Sequence, residues 1–81
     1  MSDVRQTLVE IVSAALPDGL PPSWDDARPL VEAGLNSIGV LTIVSEIEQR
    51  FGFKLADEEL AAENFSTLAG LVTLIGSRSQ R

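Results

Sequence analysis

Gly34-Leu35-Asn36-Ser37 runs straight into Ile38-Gly39-Val40-Leu41-Thr42-Ile43-Val44-Ser45-Glu46-Ile47-Glu48-Gln49-Arg50-Phe51-Gly52, and this stretch decides the fold. Its apolar positions follow a helical period, so the spacing predicts a helix from Ser37 that ends at Gly52, a suitable C-terminal cap residue. No other helix in the sequence is as strongly patterned. Val40, Ile43, Val44, Ile47 and Phe51 share one stripe and are expected in the core, whereas Ile38 and Leu41 lie toward the side of Ser37, where pattern alone leaves core and surface open. Asn36 and Ser37 are both good N-cap residues. Ser37 also stands in the first turn, where free backbone N–H groups and the helix dipole favour an anion such as a phosphodiester. The other seven of the eight serines sit at termini, helix exteriors, loops and caps, where a serine needs no special explanation.

Working outward, Val4, Leu8, Ile11, Val12 and Ala15 recur at helical spacing, with Asp3 placed to cap the helix and Pro17 to stop it. Residues 17–36 hold all four prolines and two glycines, so no regular element of any length is expected there. An ordered loop of this length needs anchoring, and Trp24, Leu30, Val31 and Leu35 are its expected tacks. After Gly52, Asp57 is placed to cap a short helix through Leu60 to Ala62. Ser66 or Thr67 is placed to cap a last one carrying Leu68, Leu71, Val72 and Ile75, with Gly76 at its end and residues 77–81 fraying. There is no internal repeat and no alternating run long enough for a sheet. The expected fold class is all-α: a small bundle of three main helices plus one short helix, in a single domain over 1–81 with an ordered core of about 4–76.

Composition narrows the chemistry. Eighty-one residues set an upper limit of one domain, near the smallest that folds on one unstapled core. The apolar stretches are too short and interrupted for a membrane span, and the N-terminus lacks the basic-then-apolar run of a secretion signal, so the expected location is the cytoplasm. Twelve acidic residues against six basic ones give a net charge of -6, which disfavours nucleic acid and anionic lipid as partners and favours basic protein surfaces. The chain has no cysteine, histidine or tyrosine. Disulfides, His/Cys metal sites, thiol nucleophiles and His-based triads are thereby excluded, and the remaining hydroxyls and carboxylates lack the material for a catalytic pocket. A non-enzymatic role is expected.

Glu32-Ala33-Gly34-Leu35-Asn36-Ser37-Ile38, followed by a helix ending Ile47-Glu48-Gln49-Arg50-Phe51-Gly52, resembles the acyl carrier protein family. The resemblance extends from Val4 to about Ile75 and includes the proline-rich first loop, the short helix near Asp57-Glu58-Glu59-Leu60 and the terminal helix after Phe65-Ser66-Thr67-Leu68. It implies an acyl-carrier-like bundle whose serine, Ser37 here, receives 4′-phosphopantetheine from coenzyme A through a magnesium-dependent phosphopantetheinyl transferase. The arm's thiol would then hold acyl cargo as a thioester. A chain without cysteine needs its sulfur from such a cofactor. The resemblance also turns Ile38 and Leu41 outward, and with Ser45 and Glu48 makes them the expected partner-binding residues, Asn36 and Ser37 being the cofactor-binding pair.

Two features depart from the family pattern. Asn36 stands where carriers usually have Asp, which bears on the rate of modification, and Gly39, Thr42, Ser45, Gln49 and Arg50 replace charged or large residues common in fatty-acid-type carriers. The expected function is a freestanding, monomeric acyl carrier of polyketide, hybrid or fatty-acid-type biosynthesis, served by loading and downstream biosynthetic enzymes. An aminoacyl or peptidyl carrier of nonribosomal-peptide type is the alternative, and an unmodified helical adaptor, suggested by Asn36, a third.

Overall fold

Three α-helices carry the fold: α1 (Val4–Ala15), α2 (Ser37–Phe51) and α3 (Leu68–Ser79). The computed structural model describes residues 4–79; Asp3, the expected cap of α1, lies outside them, as do residues 80–81. No strand occurs among the described residues, and the all-α bundle is as expected. Each helix turns one apolar stripe inward. Leu8, Ile11 and Val12 of α1, Ile43 and Ile47 of α2, and Leu68, Leu71 and Ile75 of α3 are buried together with Leu16, Leu30, Leu55 and Phe65. Helix α1 packs on both α2 and α3, and the 62–65 turn packs on α3. Val40, Val44 and Phe51 of the expected core stripe reach this centre only from its margin, half-buried.

The proline-rich loop is ordered by its backbone as much as by its apolar residues. Leu30 N–H donates to the Ser66 carbonyl at 2.7 Å, and the Asp26 carbonyl accepts from Ala69 N–H at 2.9 Å, so the loop satisfies a donor in the first turn of α3. Thr67 completes that cap, its Oγ1 accepting from Gly70 N–H at 3.0 Å. Arg5 of α1 clasps Asp26 through both carboxylate oxygens, at 2.6 and 2.9 Å. That hydrogen-bonded guanidinium holds the Asp26 carboxyl below its ordinary pKa.

The loop is less irregular than its prolines suggest, because Leu30–Ala33 forms a 3-10 turn. In it Leu30 is fully buried while Val31 is 69% exposed, so Val31 is not one of the tacks. Trp24 and Leu35 do pack against the core. Gly34 ends the turn at φ +100°, where a Cβ would meet Pro17 Cγ at 3.1 Å; both the backbone region and the close approach call for glycine.

The expected short helix over Asp57–Ala62 is two 3-10 turns, Asp57–Leu60 and Ala62–Phe65, and Asp57 is a member of the first instead of its cap. The last helix also runs further than expected: it continues through Gly76 to Ser79. Arg78 explains why. Its guanidinium pairs with Glu59, donates to the Lys54 carbonyl at 3.2 Å and lies 4.5 Å from the centre of the Phe53 ring. One side chain thus ties the end of α3 to the segment that walls the bundle.

Glu59 also accepts from Ala56 N–H at 2.7 Å. The hydrogen bond from Arg78 first, and that from Ala56 second, hold the Glu59 carboxyl below its ordinary value of 4.5, against a smaller opposing effect of burial. A depressed carboxyl contributes stability that is present above its unfolded pKa and lost as pH falls through the folded one. We therefore expect the Ala56 amide shift in NMR to titrate below pH 4.5, and in Arg78→Ala to titrate at higher pH, with looser packing of residues 53–60. An unchanged titration in Arg78→Ala would remove Arg78 as the clamp.

Candidate functional site around Ser37

Asn36 sets the site. Its backbone is extended, at φ -133° and ψ -175°, and its Oδ1 accepts from Gly39 N–H at 3.0 Å, so Asn36 and not Ser37 is the N-cap. Its carbonyl accepts the first α-helical hydrogen bond, from Val40 N–H at 2.9 Å. Ser37 is thereby released from capping. It is the first residue of α2, exposed, and its hydroxyl has no hydrogen-bond partner among the described residues. The backbone N–H groups of Ser37 and Ile38 are likewise unengaged there, leaving two donors at the positive end of a 15-residue helix.

Gly39 fixes how closely this end of α2 approaches α1. It is buried, and a Cβ on it would lie 2.7 Å from Leu35 Cδ1 and 3.0 Å from the Ala15 carbonyl oxygen. Gly39, one of the replacements for charged or large residues common in fatty-acid-type carriers, thus has a packing role, which a glycine inside the first turn of a strong helix signals.

Beside Ser37 lies a hollow of about 410 Å³ lined by Ser37, Val40, Leu41, Leu60 and Phe65. Phe65 is buried, and Leu41 and Leu60 are exposed, at 69% and 39%. Ser37 is the one polar residue of this lining. Leu60 and Phe65 enter from the two 3-10 turns, a contribution that helical periodicity in α2 could not reveal.

The other expected site residues divide along α2. Ile38, 74% exposed, and Leu41 stand beside Ser37, and Ser45 is exposed two turns further on. Glu48 shares the stripe but not the neighbourhood of Ser37. Its Oε2 accepts from Leu55 N–H at 3.0 Å and its Oε1 lies 3.9 Å from Lys54 Nζ, so it holds the chain that leaves the helix.

A family model described as phosphopantetheine attachment site matches residues 6–75. The chain belongs to this family of carrier domains, in which 4′-phosphopantetheine is attached covalently to a serine. Among curated relatives it is 25% identical over 80 residues to Aminoacyl carrier protein 1 of Bradyrhizobium diazoefficiens, an alignment that covers 98% of this chain and 89% of that protein. No helix among the described residues is long and apolar enough to cross a membrane.

Proposed function

We propose that Ser37 is the attachment serine and that the protein carries acyl groups between biosynthetic enzymes on a phosphopantetheine arm. The observation that carries this reading is the division of labour at the start of α2: Asn36 takes the cap, and Ser37 is left with a free, exposed hydroxyl above two free N–H donors. A phosphodiester on that hydroxyl meets the positive helix end, which favours it by roughly 0.3–1 kcal/mol at an exposed site. When bound, the arm supplies the thiol that the chain itself lacks. The apolar hollow beside Ser37 gives an acyl cargo a place to shed water. On this reading the carrier works as a cytoplasmic monomer in polyketide, hybrid or fatty-acid-type biosynthesis, served by a phosphopantetheinyl transferase and a loading enzyme.

An aminoacyl cargo is the second reading, and the similarity to Aminoacyl carrier protein 1 is what favours it. Incubation with a broad-specificity transferase, coenzyme A and magnesium, followed by intact-mass analysis, should show the gain of one phosphopantetheine. Loading by acyl or by aminoacyl donors then separates the two cargoes, and no mass gain at all would refute the carrier role proposed for Ser37.

Asn36→Asp should raise the rate of this modification, because it restores the carboxylate usual in the family beside the modified hydroxyl. The carboxylate can accept the same Gly39 N–H, and a charge there is worth only about 0.3–1 kcal/mol, so thermal stability should hardly move. Single-turnover mass measurements on both proteins check this; equal or slower transfer would show that other contacts already compensate for Asn36.

A further inference from the structure

Asn36 and Ser37 meet in a geometry that does more than cap a helix. Asn36 is exposed to water and its backbone is extended, at ψ -175°. At that angle the Asn36 Cβ is gauche to the Ser37 nitrogen, so rotation about Cα–Cβ brings the amide carbon Cγ over that nitrogen. The Ser37 N–H is engaged by no acceptor among the described residues, so no hydrogen bond has to break to free it. Oδ1 already accepts from Gly39 N–H at 3.0 Å at the positive end of α2. This donor polarises the amide and is aimed at the atom that carries the negative charge when Cγ is attacked.

We propose that Asn36 is a site of spontaneous deamidation, with the Ser37 backbone nitrogen as nucleophile and water as co-reactant. The Ser37 nitrogen gives its proton to hydroxide and bonds to Cγ, and the charge passes to Oδ1, held by Gly39 N–H. The Cγ–Nδ2 bond then breaks, ammonia leaves with a proton taken from water, and a cyclic imide remains. Addition of water at Cγ gives Asp at position 36. Addition at the main-chain carbonyl gives isoaspartate, in which the backbone runs through Cβ. Asn64, the other asparagine of the chain, lacks these conditions. It lies in the 62–65 turn, its side-chain amide donates to the Glu59 carbonyl at 3.0 Å, and its following neighbour is the bulky, buried Phe65. At Asp18-Gly19, where the following residue is smaller still, the Gly19 N–H is engaged by the Leu16 carbonyl.

The Asp product adds a negative charge beside Ser37 and keeps an acceptor for Gly39 N–H, whereas isoaspartate lengthens the backbone just ahead of Ser37 and puts the cap out of register. An ageing sample thus becomes a mixture of chains that differ at the start of α2. The deamidation stands independently of the attachment reading of Ser37; its effect on arm transfer rests on that reading.

The test holds the full, folded chain at mildly alkaline pH and body temperature and follows positions 36 and 64 by peptide mapping that separates Asn, Asp and isoaspartate. Asn36 should convert to both acids at least about tenfold faster than Asn64, and faster as pH rises, since the attacking nitrogen must lose its proton. Ser37→Pro removes the attacking N–H while placing proline at the first helical position, where it is favoured, after a residue whose extended backbone suits it. This variant should keep its thermal midpoint and leave residue 36 an amide. Conversion of Asn36 less than about tenfold faster than that of Asn64, Asp without isoaspartate, or undiminished conversion in Ser37→Pro would each overturn the proposal. If Ser37→Pro does not fold, the rate ratio and the presence or absence of isoaspartate in the wild type decide alone. Fresh and aged samples treated with transferase, coenzyme A and magnesium keep the two readings apart: if neither gains the arm, the attachment reading falls and the deamidation stands.

Discussion

Ser37→Ala should fold as the wild type does and gain no mass in the transferase assay, the largest functional effect expected of any single substitution in this chain. The hydroxyl has no hydrogen-bond partner among the described residues and the side chain is exposed, so its removal should change stability by no more than about 0.5 kcal/mol. Asn36 keeps its bond to Gly39 N–H, so the cap of α2 survives. The paired measurement is intact mass after incubation with transferase, coenzyme A and magnesium, and thermal unfolding of the same sample. A variant that still gains phosphopantetheine would move the attachment to another serine. A variant that loses both mass gain and fold would mean that Ser37 supports the start of α2 in a way its free hydroxyl does not indicate.

Ile47→Ala should cost about 2–5 kcal/mol, because Ile47, like Ile43, is fully buried among α1, α2 and α3 residues and its loss leaves a cavity. Against a total of about 5–15 kcal/mol, with a chain of this size toward the lower end, the thermal midpoint should fall by roughly 10 °C or more. Leu41→Ala is the contrast. Leu41 is 69% exposed and lies about 120° around the same helix from Ile47, so its truncation should stay within about 0.5 kcal/mol. Phe51, half-buried at the end of α2, should fall between the two, less costly than its place in the apolar stripe suggests. If thermal unfolding shows Leu41→Ala to be as damaging as Ile47→Ala, Leu41 belongs to the core and the outward face of α2 is misplaced.

The clamp at the end of α3 and the scarcity of free charge on the outward face of α2 share one cause. Four carboxylates near the site are paired with a cation or with backbone: Glu59 with Arg78, Glu48 with Lys54 and Leu55 N–H, Glu32 with Arg28, Glu46 with Arg50. A count of charges along the chain gives the sign of the overall field but not which carboxylates remain free to meet a partner.

Periodicity by itself determined α1 and α2, the inward stripe of each, and the absence of a sheet, because an amphipathic helix writes its buried face into local spacing. The place of Ser37 at the start of the strongest helix was legible for the same local reason, whereas the attachment role came only with the resemblance to carrier proteins. What local spacing could not hold was left to tertiary structure. Leu30 and Val31 are adjacent and similarly apolar, and only the packing of α1 and α3 behind the loop decides that Leu30 is buried and Val31 exposed. Gly76 reads as a stop, yet α3 runs on because Arg78 finds Glu59, nineteen residues earlier, and the Phe53 ring. Asn36 and Ser37 are equally able caps in sequence, and the bond from Gly39 N–H, in a turn drawn against the Ala15 carbonyl, assigns the cap to Asn36 and leaves the serine hydroxyl free. Each of these outcomes depends on residues far apart in the chain, so it exists only once the helices have packed.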